Sequence, residues 1–193
     1  VATLDHLSGG RVRINIVSGK DNLGAYGDGE AQQADRYDRT REFIQIIRRL
    51  WTEENLTYRG EHFSVENSTA VPRIAAREGR PHPKIYFGGA SEAAERVAAA
   101  EADVQLFWGE PLDGVAERID RLKKLSETVD RQHAPLEFGL RITTFIRDTT
   151  DQAWEEAQAR VVKMAESVTA TTDFVRRREA VGQRRLFDLA SRG

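Results

Sequence analysis

The chain of 193 residues carries 29 basic and 31 acidic side chains, a net charge of −2. It is long enough for a packed core and too balanced in charge to attract nucleic acid or an anionic membrane. With no cysteine, disulfides, thiolate nucleophiles and Cys-ligated metals are excluded, and no apolar run nears the ~20 residues of a membrane span.

Leu4 to Leu7 reads as the last turn of a helix, stopped by Gly9-Gly10. Val12, Ile14 and Ile16 then alternate with Arg13, Asn15 and Val17, a strand that ends at Ser18-Gly19. A loop rich in glycine and aspartate runs from Lys20 to Glu30. The spacing of Tyr37, Thr40, Phe43, Ile44, Ile47, Leu50 and Trp51 predicts a helix over Gln33–Trp51 with those residues on its buried stripe. Leu56–Tyr58 and Phe63–Val65 flank Arg59-Gly60-Glu61 as a hairpin, and a polar loop holding Pro72, Pro81 and Pro83 follows.

Lys84–Phe87 is an apolar run that stops at Gly88-Gly89-Ala90-Ser91, after which an alanine-rich helix, Glu92–Glu101, begins at once. A second apolar run, Val104–Trp108, leads to Gly109-Glu110-Pro111. Pro111 suits the first position of a helix with Leu112, Val115, Ile119, Leu122 and Leu125 as its stripe. Leu136 to Ile146 alternates as one more strand. Thr149 and Gln152 have capping-box spacing for a final helix carrying Trp154, Ala157, Val161 and Val168. The tail, 169–193, is polar and partly helical; its run Arg176-Arg177-Arg178 reads as a solvated face.

Strands alternating with helices imply a parallel sheet with right-handed crossovers. The first and last strands carry a polar second face, Asn15 in one and Glu137, Gly139, Arg141 and Thr143 in the other. Such a face suits a barrel interior, although an open doubly wound sheet is the alternative. A closed (β/α)8 barrel needs about 250 residues. The expectation is therefore one domain over 1–193, a partial barrel with 52–83 as an insertion and 169–193 as the tail.

Ligands in such architectures bind at the C-terminal ends of the strands. The glycines before Ser91 let backbone N–H groups approach an anion, and the helix start adds about half a positive charge. The competing reading is a plain turn with Ser91 as N-cap. Arg141 either binds an anionic substrate or pairs internally with Glu110. Tyr37 packs on a strand or lines the site, and Trp108 is core or cofactor wall. The four histidines, His6, His62, His82 and His133, are too scattered to suggest a metal site. No signal peptide is visible, and a cytoplasmic protein is expected.

Taken in order, ATLDHLSGGR, NIVSGKD with GDG downstream, DRYDRTREF with RRLW, YFGGAS, FWGEP, FGLRI with IRDTTDQAWEEA, and VGQRR resemble the alkanesulfonate monooxygenases of the bacterial luciferase-like superfamily. The resemblance implies a luciferase-like (β/α)8 TIM barrel, of which this chain holds about strands four to seven. It implies reduced FMN (FMNH2) delivered by a separate NAD(P)H-dependent FMN reductase, O2 as oxidant, and an alkanesulfonate cleaved at its C–S bond to aldehyde and sulfite. A homo-oligomer is also implied.

Carried onto this sequence, Ser91 with the Gly89 and Ala90 backbone would hold the FMN phosphate, and Asn15, Ser18 and Tyr37 would surround the flavin. Arg141 would face the sulfonate or the peroxy group, where a fixed positive charge stabilises developing anion. Close alkanesulfonate enzymes have histidine where this chain has Thr143, which cannot titrate near neutral pH. The substrate expected from that departure is a different sulfonate, a sulfone, or a compound without sulfur. An F420-dependent relative and a non-catalytic phosphate-binding fragment are the alternatives. Because other parts of the family's site fall outside these 193 residues, this segment alone is expected not to turn over substrate.

Overall fold

A computed structural model describes residues 1–19, 33–77 and 79–176. The Lys20–Glu30 loop with its GDG, the VGQRR block and most of the polar tail lie outside the described residues. In chain order the elements are α1 (Ala2–Leu7), β1 (Arg13–Ile16), α2 (Gln33–Thr52), β2 (Leu56–Arg59), β3 (Ser64–Ser68), β4 (Lys84–Gly88), α3 (Glu92–Glu101), β5 (Val104–Phe107), α4 (Leu112–Thr128), β6 (Glu137–Leu140) and α5 (Thr150–Arg176). The chain forms two compact units. One is Val1–Leu106 with Ile119–Gly139; the other is Phe107–Arg118 with the described residues from Leu140 onward.

The first unit is built on a sheet in the order β1-β4-β5-β6, with β1 and β5 both parallel to β4. Register places Asn15 beside Tyr86, Ile16 beside Phe87, and Phe87 beside Gln105. Partners in a parallel pair share a face, so Ile16, Phe87 and Gln105 lie together, and all three are buried. Ile85 and Phe87 are fully enclosed, as are Ala94, Ala98 and Ala99 of α3. Alanine favours the helix and its short side chain lets α3 approach the sheet closely. At Gly139 the approach is closer still: a Cβ there would meet Leu106 Cδ2 at 2.8 Å.

Helix α3 is held at both ends. Ser91 Oγ accepts from the Ala94 N–H at 3.2 Å, and Glu92 and Glu95 in the first turn favour the helix dipole. At the other end Arg131 donates to the Ala99 and Ala102 carbonyls, both at 2.9 Å. These are acceptors that the end of a helix leaves without an internal partner.

Helix α2 departs from its expected stripe. Ile44 and Thr40 are buried as expected, but so are Ile46 and Arg48, whereas Phe43 is 44% exposed and leans on Phe63. Arg48 is held in its buried place by the two terminal nitrogens of its guanidinium: they donate to the Glu101 carbonyl at 2.5 Å and to Asp103 Oδ1 at 3.2 Å, and contact His82 Nε2 at 2.6 Å, while its Nε is buried without a partner. Asp103 also accepts from the Ile85 N–H at 2.7 Å, tying the starts of β4 and β5 together.

The hairpin forms as expected, as a separate antiparallel pair, β2 with β3. Its turn is gripped from α2: the Glu42 carboxylate accepts from the N–H groups of Glu61, His62 and Phe63 at 2.7 to 3.0 Å. Desolvation pushes this carboxyl upward, but those three donors prevail and hold it below its ordinary range. Helix α1 is anchored by Asp5, which is fully buried and accepts from Arg80 twice and from the Ala75 N–H once.

The strand expected over Leu136–Ile146 ends at Leu140, where the second unit resumes. The Arg141 N–H still reaches the Phe107 carbonyl at 2.9 Å, but β6 is the outer strand among the described residues. Without a further ladder partner 141–146 is irregular, and Ile142 and Ile146 are exposed. Thr149 Oγ accepts from the Gln152 N–H at 3.3 Å and starts α5, as its spacing predicts. Of the expected apolar stripe of α5, Trp154 and Val161 are exposed, at 65% and 55%.

Candidate active site

The sequence-predicted cofactor residues all belong to the first unit. Strand β4 ends at Gly88, three residues before α3 begins, so the turn must reverse direction within Gly89-Ala90-Ser91. A Cβ built at Gly89 falls under 3.0 Å from the Ala94 Cβ, so only glycine lets the turn press on the helix. The Tyr37 hydroxyl lies 3.7 Å from that same point, and the Tyr37 ring meets Phe87 edge-on at 6.4 Å between centroids. The Tyr37 ring thus packs on β4, and its hydroxyl stands against the turn.

At Gly88 a built Cβ meets nothing within 4 Å, so the backbone there borders open space. Ser91 is half-buried and serves as N-cap. Capping uses an oxygen lone pair and leaves the hydroxyl proton available as a donor. Asn15 is exposed, one strand over and level with Tyr86; Ser18 is half-buried just past the end of β1. The turn, the start of a ten-residue helix and a tyrosine hydroxyl therefore assemble at the C-terminal end of β4. This is a donor set suited to the phosphate of a cofactor.

Sequence reasoning passed over Gln105. It is fully buried, and its Nε2 donates to the Gly89 carbonyl at 3.1 Å and the Leu106 carbonyl at 3.0 Å. A lone amide in the apolar run Val104–Phe107 was the available signal.

Arg141 and Thr143 belong to the second unit, and both are exposed. The Arg141 guanidinium lies over the Trp108 ring, 5.6 Å from its centroid. The internal pair considered for Arg141 does not form: Glu110 pairs with Arg118, which is 3% exposed and sits over the Phe107 ring at 4.7 Å. Trp108 is 43% exposed and so is not core in this unit. Among the described residues no group of three or more His, Asp or Glu is placed to hold a metal, and no helix is long and apolar enough to cross a membrane.

The family model for luciferase-like monooxygenases matches residues 1–190. Among solved structures, the chain is similar to a riboflavin lyase with modified FMN and its substrate riboflavin, at TM-score 0.68 and 19% identity over 81% of this chain and 40% of that one. It is similar to a long-chain alkane monooxygenase at TM-score 0.67 and 20% identity, over 80% of this chain and 41% of the other. An F420-dependent secondary alcohol dehydrogenase in complex with an F420–acetone adduct gives TM-score 0.64 and 18% identity, over 80% of this chain and 46% of the other. At these identities the likeness is one of fold: the four-stranded parallel sheet is part of a luciferase-like (β/α)8 barrel. The chain spans less than half the length of each of these three proteins.

Proposed function

The chain belongs to the luciferase-like monooxygenase family, and on that footing we propose that the whole protein is an FMNH2-dependent monooxygenase that cleaves the C–S bond of an alkanesulfonate. One oxygen atom of O2 ends in the aldehyde and the other in water, and the sulfonate leaves as sulfite. Bound reduced FMN supplies the two electrons and activates O2, and an NAD(P)H-dependent reductase restores it. The observation that carries this reading is the Gly88–Ser91 turn, opening onto the start of α3 with the Tyr37 hydroxyl against it. The residues present fit a phosphate: glycine backbone bordering open space, a serine hydroxyl and a helix N-terminus.

In this reading Gly89, Ala90 and Ser91 hold the phosphate, while Asn15, Ser18 and Tyr37 border the rest of the flavin. Arg141 offers a fixed positive charge to the sulfonate. Resting the guanidinium on Trp108 limits its rotamers without neutralising it. Thr143 offers a hydrogen bond and no titratable proton near neutral pH.

That threonine also favours a second reading, a luciferase-like oxidoreductase using FMN or F420 on a sulfone or a compound without sulfur. The test is an assay of the complete reading frame with a flavin reductase and NAD(P)H. The substrates are methanesulfonate, a longer alkanesulfonate and dimethyl sulfone, with release of sulfite or sulfinate scored. Sulfite from either sulfonate supports the first reading. Sulfinate from the sulfone alone, or reaction only with reduced F420, selects the second.

A further inference from the structure

We propose that Gln105 is a positioning residue for the cofactor phosphate, acting through the Gly89–Ala90 peptide; the proposal rests on the reading of that turn as a phosphate site. Gln105 is fully buried on the face of β5 that it shares with Phe87. Two carbonyl oxygens, of Gly89 and Leu106, lie within 3.1 Å of one end of its amide. Only an NH2 group can stand between two such acceptors, which fixes the orientation of the amide.

The Gly89–Ala90 peptide is trans, and in a trans peptide the C=O and N–H point in opposite directions. Gln105 draws the Gly89 carbonyl inward, toward the buried face of the sheet. The Ala90 N–H is thereby turned the other way, out of that face. A Cβ at Gly89 would collide with Ala94, so the turn can sit this close to the helix only with glycine there. The result is a donor aimed before any ligand arrives, at the end of the helix where an anion is favoured.

The arrangement spends one buried acceptor to hold two backbone carbonyls. Gln105 Oε1 is buried and makes no hydrogen bond. A leucine of similar size would fill the same space and remove the unsatisfied Oε1, but it would also take away the donor to the Gly89 and Leu106 carbonyls. What leucine cannot do is hold the Gly89 carbonyl.

The test compares Gln105→Leu with the wild type, both from the complete reading frame, by titrating FMN and riboflavin into each anaerobically after chemical reduction. The probes differ by the phosphate. The wild type is expected to prefer FMN; in Q105L that preference falls by about tenfold, while riboflavin affinity changes little. In turnover the same variant raises KM for FMNH2 and spares kcat.

If the wild type does not discriminate between the probes, the phosphate site itself is wrong. If it discriminates and Q105L discriminates equally, the site stands and the role of Gln105 is overturned. Should Q105L fail to fold, the wild type decides by NMR. The proposal requires Gln105 carboxamide protons that exchange slowly with solvent and an Ala90 amide resonance that moves with FMN and not with riboflavin. Fast exchange, or an Ala90 resonance indifferent to the phosphate, refutes it.

Discussion

Replacing Gly89 by alanine is the sharpest probe of how the proposed cofactor turn is built. Gly89 does not adopt a positive φ, so the substitution meets no backbone penalty of that kind. The obstacle is the Ala94 Cβ, under 3.0 Å from where the new methyl must go. Carbon atoms rest at about 3.5 to 4.0 Å, so turn and helix must separate by at least ~0.5 Å. Phe87 and Tyr37 stand 3.7 Å from the same point, ordinary contacts, so the strain concentrates on Ala94. Overpacking of this kind costs about 1 to 3 kcal/mol. On the proposed reading it also moves the backbone donors of Gly89 and Ala90 away from where the phosphate would sit, and FMN affinity should fall by at least about tenfold.

Urea unfolding and FMN titration of the complete protein measure the two effects. The double variant Gly89→Ala with Ala94→Gly removes the colliding methyl. It should recover binding despite a helix penalty of about 1 kcal/mol for the added glycine. A single variant that is as stable as the wild type and binds FMN as tightly would refute the steric argument. So would a double variant that recovers no binding.

The remaining predictions concern charge. Asp5→Ala leaves the Arg80 guanidinium, 14% exposed, without its buried partner and should cost about 3 to 5 kcal/mol in urea unfolding. The hydrogen bonds from Arg80 hold the Asp5 carboxyl below its ordinary value of 3.8. Its stabilisation is therefore complete above that value and lost as pH falls through the folded-state pKa, a loss that Asp5→Asn should remove from the acid limb. Burial, followed by the charge of Arg48, holds His82 below its ordinary value of 6.5. The unfolded chain thus binds the extra proton first, and stability should decline as pH drops through and below 6.5. His82→Gln should flatten that slope in denaturation measured at several pH values. Arg141→Ala removes only an exposed ring contact of about 0.5 to 1 kcal/mol from the fold. Turnover of the complete protein should nevertheless fall about 10² to 10³-fold; equal losses of folding and activity would make Arg141 structural.

The sequence announces the Gly88–Ser91 turn more clearly than any other feature. An apolar run, two glycines, a serine and an alanine helix each act locally, and the serine caps the helix as its spacing indicates. Features decided by distant partners were hidden. Arg48 looks like a surface residue until His82, Glu101 and Asp103 are brought to it. Asp5 finds Arg80 across 75 positions. The choice of Glu110 between Arg118 and Arg141 follows from where α4 begins, which spacing alone does not settle. Alternation over Leu136–Ile146 measures two faces, but a strand also needs a neighbour, and the described ladder stops at Leu140. The lone amide of Gln105 in an apolar run marks it as unusual, but its partner is a backbone carbonyl, which no sequence pattern marks.

The double fastening of α3 has a mechanical consequence. Clamped by Ser91 at one end and by Arg131 at the other, its ten residues form a strut of about 15 Å that does not fray from its tips. Its amides should therefore exchange with deuterium as one block rather than progressively from the ends. Arg131→Ala should loosen the whole strut, so that a change at the far tip is felt at the cofactor turn.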